Sequence, residues 1–466
     1  MENKITMTKI SLNVNKINKF LLFLIMTLPG CCLLISNVRL RFSIVIFAIF
    51  SFFYTLIKFK KCVSDIIIFF KTPVIKILLL WMIWCFLSGF ISCVSGNYKW
   101  GSFLFYFIYH MILSVVPCYL GFLLIRQNSI TNICKYYYLY VFIMLIIGSI
   151  DFILLHSGIW FLENFFDTFI VNTRRLAYGE IIHIARTKSV FTEPSYFANF
   201  ICFNLPLIYE FSKNKYKIFR SSFLDIILKK SMFILAWWMI IATLSPIFLI
   251  FAVLFTIIYF FITSKRTSKL IFLLSFGIMF IVAAIILSNI NIQGTYLERI
   301  SKTLASIHDI RVFIYAETSL ATRIISICNQ FIIALQHPIL GIGYGNIERF
   351  LLKQLESSPL PLTPQLISSV GTGSGANKFL FWTTLCETGF IGVTLLYAYF
   401  IKTIHRAKIL LNHLYGYDKA FISSCIFMLT YQIVVFLYDG EFAGYFSFIL
   451  GIIAGINIYY NTRKER

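Results

Sequence analysis

PVIKILLLWMIWCFLSGFISCV, residues 73–94, is an apolar run whose single charge is Lys76. A hydrocarbon core of about 30 Å is crossed by roughly 20 helical residues, and lipid obliges each crossing to satisfy its own backbone hydrogen bonds. The run therefore reads as a transmembrane helix. Comparable runs recur on both sides of it and place further spans at 20–36, 40–57, 102–125, 136–156, 194–211, 232–246, 247–262, 270–288, 378–401, 420–438 and 442–460. The expected fold class is an all-α polytopic membrane protein of about 12 transmembrane helices.

Composition agrees with that reading. Hydrophobic residues make up 59% of the 466 and charged residues 13%, a balance that leaves too little polar surface for a chain dissolved in water. Every second gap between spans is basic, and most of the 41 Lys and Arg fall on one side. Positive residues collect in cytoplasmic loops, so both termini are expected in the cytoplasm. The net charge of +22 is spread over short loops and forms no continuous basic face, which argues against nucleic acid as a partner. Membrane lipid is the expected surrounding. The 11 cysteines show no CxxC spacing and read as small apolar residues. The polar, basic residues 1–19 precede an apolar run without a small-residue cleavage site, the pattern of an uncleaved start-transfer segment.

The stretch 232–263 is long for one upright span and short for two. Basic residues flank it on both sides, from Lys213 to Lys230 before it and Lys265, Arg266 and Lys269 after it, so a hairpin turning near Thr243, Ser245 and Pro246 is expected. A single kinked, tilted helix is the alternative.

Two gaps exceed the length of connectors, and gaps of that kind are usually functional. The chain divides into spans over 1–156, a first outer loop at 157–192, spans with the hairpin over 193–288, a large outer loop at 289–377, and closing spans over 378–466. The large loop is expected to be partly helical, because no Pro or Gly interrupts residues 297–335 and apolar residues recur there at helical spacing around Arg299, Arg311 and Arg323. HPILGIGYGN at 337–346 and GTGSGAN at 371–377 follow as turns.

The order Arg323, HPILGIGYGN, then ANKFLFWTTLCETGFIG entering a span resembles the C-terminal signature of the O-antigen polymerase and O-antigen ligase superfamily. The matching positions are Arg323, Pro338, Gly341, Gly343, Gly345, Asn346, Asn377, Glu387, Thr388 and Gly389. RTKSVFTEPSYFANF at 186–200 resembles the second signature of that superfamily. Pro246 stands where the family often has Arg, and Ala376 where its ligases commonly carry His, a departure that favours a polymerase.

The resemblance implies two periplasmic loops in a bacterial inner-membrane protein and glycosyl transfer between undecaprenyl-diphosphate-linked oligosaccharides, with a chain-length regulator protein as a possible partner. Such chemistry asks for cations at the departing diphosphate, a base near the acceptor hydroxyl and a groove open to lipid and water. Arg pairs phosphate oxygens bidentately and keeps its charge, which makes Arg186 and Arg323 the leading candidates, followed by Arg174, Arg175 and Arg311. Glu193 and His337 are the candidate bases. His308 and Asp309 have only proximity in their favour, and Glu387 is an ionisable group deep in a span. Gly341, Gly343, Tyr344, Asn346 and Asn377 are candidate substrate contacts, the glycines because a tight turn brings backbone close to a sugar or phosphate. Most aromatic residues belong to spans and interface belts; Tyr196 and Tyr344 alone are carried forward. No metal-ligand spacing appears, so a transferase without metal or cofactor is expected. A ligase of the same superfamily and, from another class, a flippase of lipid-linked oligosaccharide are the alternatives; a flippase would usually show internal repeats and midplane charges.

Overall fold

The computed structural model describes residues 32–35, 38–41, 59–127, 129–157, 187, 189, 191, 194–213, 217, 222–243, 245–263, 309, 318–358, 360, 362–363, 366–368, 379–438 and 444–464. Cys32–Ile35 (β1) and Val38–Arg41 (β2) pair antiparallel, with Leu33 opposite Leu40. They occupy the end of the span expected at 20–36 and the start of that expected at 40–57, and the rest of those two spans, with the one at 270–288, lies outside the described residues.

All the remaining described elements are helices: α1 (Phe59–Lys71), α2 (Pro73–Val94), α3 (Trp100–Gln127), α4 (Ile130–Ser157), α5 (Pro194–Ser212), α6 (Ser222–Ala242), α7 (Pro246–Thr263), α8 (Thr318–Gln336), α9 (Ile347–Glu356), α10 (Leu380–Leu411), α11 (Gly416–Val435) and α12 (Gly444–Lys464). Five of them, α2, α3, α4, α10 and α11, are long and apolar enough to cross a membrane. The chain is thus a multi-pass membrane protein. Large apolar side chains such as Ile83, Val94 and Phe105 stand exposed along α2 and α3, as expected where lipid is the solvent.

Inside the bundle, α3 and α12 approach to backbone contact. A Cβ on Gly451 would meet the Cys118 carbonyl, and one on Gly121 the Phe448 carbonyl, the small-residue packing that membrane helices use in place of a hydrophobic drive. Helix α5 is mostly buried, and its Asn199 accepts from the Tyr431 hydroxyl at 2.9 Å and donates to the Tyr445 hydroxyl at 3.3 Å.

The chain reverses between α6 and α7. Tyr209 of α5 touches Phe233 in the middle of α6 and Tyr259 near the end of α7, with ring centroids 6.3 and 5.3 Å away, so the two helices run back alongside each other from their tip. Helix α6 begins ten residues before the span expected at 232, since Lys229 and Asp225, buried and 2.5 Å apart, neutralise each other one turn apart.

A larger departure concerns the span expected at 378–401. Gly389 has φ +67° and ψ −172° inside α10, and the chain folds back there: Phe381, eight residues before it, meets Tyr397, eight residues after it, with ring centroids 5.3 Å apart. The arm that runs through the bundle therefore starts at Phe390. The region 58–72, expected to be a connector, holds α1, tied to the end of α3 by an Asp65–Arg126 ion pair at 3.1 Å.

Candidate functional site

The glycine turn at 337–346 is clasped between α2 and the fold of α10. Ile342 and Gly343 donate their amides to the Cys386 and Glu387 carbonyls at 2.9 and 3.1 Å, and Phe390 donates to the Pro338 carbonyl at 2.8 Å. From α2, the Ser88 hydroxyl donates to the Leu340 and Glu387 carbonyls at 2.8 and 2.6 Å, Ser92 to the Ile342 carbonyl at 2.9 Å, and the Trp84 indole to the Thr388 carbonyl at 2.8 Å. The Tyr98 hydroxyl reaches the Gly345 carbonyl at 2.7 Å. Burial, with the Glu387 charge adding to it, pushes the Tyr98 phenol up, so it remains a donor.

These bonds give the glycines a different partner from the one expected. Gly341 and Gly343 have φ +71° and +101°, and a Cβ on them would strike the Glu387 backbone and the Ser92 side chain respectively. The close approach they allow is to protein backbone and helix. Tyr344 and Asn346 are likewise buried. The Tyr344 hydroxyl shares a hydrogen bond with His110 Nδ1 at 3.0 Å, and the Asn346 amide donates to the Ile342 carbonyl at 3.2 Å. Glu387 is buried and accepts the Ile347 amide at 3.3 Å.

Arg323 occupies other ground. Helix α8 runs beside the first arm of α10, where Cys386 Sγ donates to the Gln330 carbonyl at 2.7 Å and Phe331 meets Trp382 at 6.0 Å. Further back along α8, the Arg323 guanidinium lies over the Tyr438 ring, 4.9 Å from its centroid. Tyr438 follows α11, and its segment is held by the Phe381 amide on the Phe436 carbonyl at 3.2 Å and the Trp382 indole on the Leu437 carbonyl at 2.9 Å. His337 is exposed beyond the other end of α8. Thirteen residues separate Arg323 from Gln336, about 20 Å of helix, so α8 holds Arg323 and His337 well apart.

The second motif region meets the same neighbourhood through α7. The Thr187 amide donates to the Ala242 carbonyl at 3.3 Å, at the tip between α6 and α7. Phe251, in the second turn of α7, packs against the Tyr438 ring at 6.1 Å. The tip and first turns of α7 thus link the described residues of the 186–200 motif to the Arg323–Tyr438 pair. Arg174, Arg175, Arg186, Glu193, Arg311 and Asn377 lie outside the described residues.

Asp151, Tyr438 and His110 are contacts that the sequence reading passed over. Asp151 and His110 carried a usable signal, since each is an ionisable residue within an expected span; Tyr438 carried none. Among the described residues no group of three His, Cys, Asp or Glu could hold a metal ion. The chain matches no protein-family model, and no curated protein matches it.

Proposed function

We propose that this multi-pass protein is a glycosyltransferase that polymerises lipid-linked oligosaccharide repeat units, as the ordered motifs imply. One observation carries the reading: two motif regions more than a hundred residues apart in sequence are linked through the tip and first turns of α7, where Thr187 is held on Ala242 and where Phe251 packs on Tyr438, the ring that Arg323 lies over. This end of the bundle is then the outer face, and the reaction takes place there.

In the proposed step, an acceptor sugar hydroxyl on one undecaprenyl-diphosphate-linked unit attacks C1 of the sugar at the reducing end of the growing chain. The C1–O bond to the donor diphosphate breaks, undecaprenyl diphosphate leaves with the electron pair, and the hydroxyl proton passes to a base. Arg323 is assigned to the leaving diphosphate, where a guanidinium fork matches two phosphate oxygens, and one well-placed donor is worth roughly 3 kcal/mol in such a role. Arg186 is its proposed partner. His337 is too far from Arg323 to take the proton, which leaves Glu193 as the proposed base. The glycine turn is assigned to holding α8 against α10.

The test is a surface-polysaccharide gel of a strain lacking the gene beside the complemented strain. Lipid A core carrying a single repeat unit in place of a ladder supports polymerisation. Loss of even the single unit, with long lipid-linked polymer accumulating, would replace this reading with the ligase. Loss of the single unit without such polymer would replace it with the flippase.

A further inference from the structure

We propose that Asp151 is a positioning residue that anchors the segment carrying Arg186. Asp151 is 1% exposed, two turns before the end of α4. Its Oδ2 accepts the Thr187 hydroxyl at 2.8 Å and the Ser189 backbone amide at 3.1 Å, so a single carboxylate oxygen gathers two donors from residues on either side of Lys188. The same two residues have further partners, the Thr187 hydroxyl proton being shared with a second acceptor. The Thr187 hydroxyl also reaches the Gly148 carbonyl at 3.0 Å, the Thr187 amide the Ala242 carbonyl at 3.3 Å, and the Ser189 hydroxyl the Met144 carbonyl at 3.1 Å.

Such over-determination has a conformational counterpart. Ser189 is the one non-glycine residue with positive φ among the described residues, at +51°. A left-handed serine persists only where its surroundings hold it, and strain of this kind gathers at sites where a chain must be presented in one way. Thr187 and Ser189 are both fully buried. Arg186 and Lys188 are their neighbours in the sequence, so Thr187 and Ser189 are the covalent attachment points of both cations. A carboxylate suits the task, because a charged acceptor binds donors more strongly than a neutral one. The segment's part in the reaction rests on the transferase reading; the anchoring does not.

The anchoring is read without activity. In the full chain purified in detergent, the thiol of Ser189→Cys is a reporter at a buried position, with the parent chain as the blank for native cysteines. Asp151→Ala is expected to raise its maleimide reaction rate by about 25-fold, about fivefold for each hydrogen bond lost. Asp151→Asn keeps a carbonyl acceptor and is expected to stay within about fivefold of the reporter alone. Hydrogen exchange at the Ser189 amide, in chains retaining Ser189, supplies a second measurement should the cysteine variant fail to accumulate. An unchanged thiol rate, or unchanged amide protection in Asp151→Ala, overturns the proposal.

For function, Asp151→Ala is expected to shorten or abolish the ladder at unchanged protein level, with no further loss when combined with Arg186→Ala. A full-length ladder in Asp151→Ala would also overturn the positioning role. If deleting the gene leaves the ladder intact, the transferase reading fails while the thiol and exchange results still decide the anchoring.

Discussion

The buried carboxylate of Glu387 accepts the backbone amide of Ile347 at 3.3 Å, linking the fold of α10 to the first residue of α9. Asn346, at the helix N-cap, makes no side-chain capping bond, so one of the helix's unpaired donors is satisfied from another element. Glu387→Ala is expected to destabilise the protein by about 1–3 kcal/mol, the cost of leaving a buried donor unpaired. Glu387→Gln, which keeps an acceptor, should lie closer to the parent. Thermal unfolding in detergent separates them, and coincident Ala and Gln curves would refute the capping role.

The expected span at 73–94 and the observed α2 share their boundaries, because apolar length alone decides where a crossing begins and ends. The helix at 194–211 was legible too, ending one residue short of α5, although α5 is not one of the five described helices long and apolar enough to cross a membrane. Gly389 shows what was not legible. TLCETGFIG continues an apolar helical pattern through it, and the reversal shows only in the folded chain, in the Gly389 backbone angles, the Phe381–Tyr397 contact and the backbone bonds that join Ile342 and Pro338 of a distant turn to Cys386 and Phe390. For the site, sequence order grouped Arg323 with His337, yet helical rise separates them. The ring beneath Arg323 belongs to Tyr438, whose place depends on how α11 ends against α10.

Two glycines with positive φ separate backbone strain from packing. Gly96 has φ +74° and open space around its Cβ position, whereas Gly343 has φ +101° and faces Ser92. Gly96→Ala should therefore cost only the left-handed backbone term, about 1–2 kcal/mol. Gly343→Ala should cost about 1–3 kcal/mol more through overpacking. Unfolding midpoints measured side by side check the difference. If Gly343→Ala is as stable as Gly96→Ala but loses the polysaccharide ladder, the turn contacts substrate after all.

The Arg323–Tyr438 contact predicts a graded series at Tyr438. Tyr438→Phe keeps the ring face and should leave ladder formation close to parental. Tyr438→Leu removes it and is expected to lower polymerisation by about 2- to 30-fold, the equivalent of a cation–π interaction of about 0.5–2 kcal/mol. Arg323→Lys should rescue poorly, since an ammonium cannot form the bidentate fork. Ladder length quantified at matched protein levels decides the matter; parental ladders in both Tyr438→Leu and Arg323→Ala would reassign the pair to a packing role.

Sidedness is tested through contacts that already tie two distant segments together. The Arg349 guanidinium donates to the Asn97 carbonyl at 2.9 Å, and the Tyr98 hydroxyl to the Gly345 carbonyl at 2.7 Å, so residues 95–99 and the turn at 337–346 must lie on the same side of the membrane. The arm of α10 from Phe390 to Leu411 is about 33 Å long at helical rise, enough to cross the hydrocarbon core. Exposed Lys408 near its end should then lie on the other side, among the basic residues that favour the cytoplasm. Cysteines introduced at Asn97 and at Glu348, both exposed, are expected to react with a membrane-impermeant maleimide in intact spheroplasts. One at Lys408 should react only after permeabilisation, with the parent chain as the blank for native thiols. Labelling of Asn97→Cys without Glu348→Cys would break the clasp between α2 and the turn. Labelling of Lys408→Cys alone would invert the topology and place Arg323 on the cytoplasmic face, where a polymerase of externally displayed repeat units has no substrate.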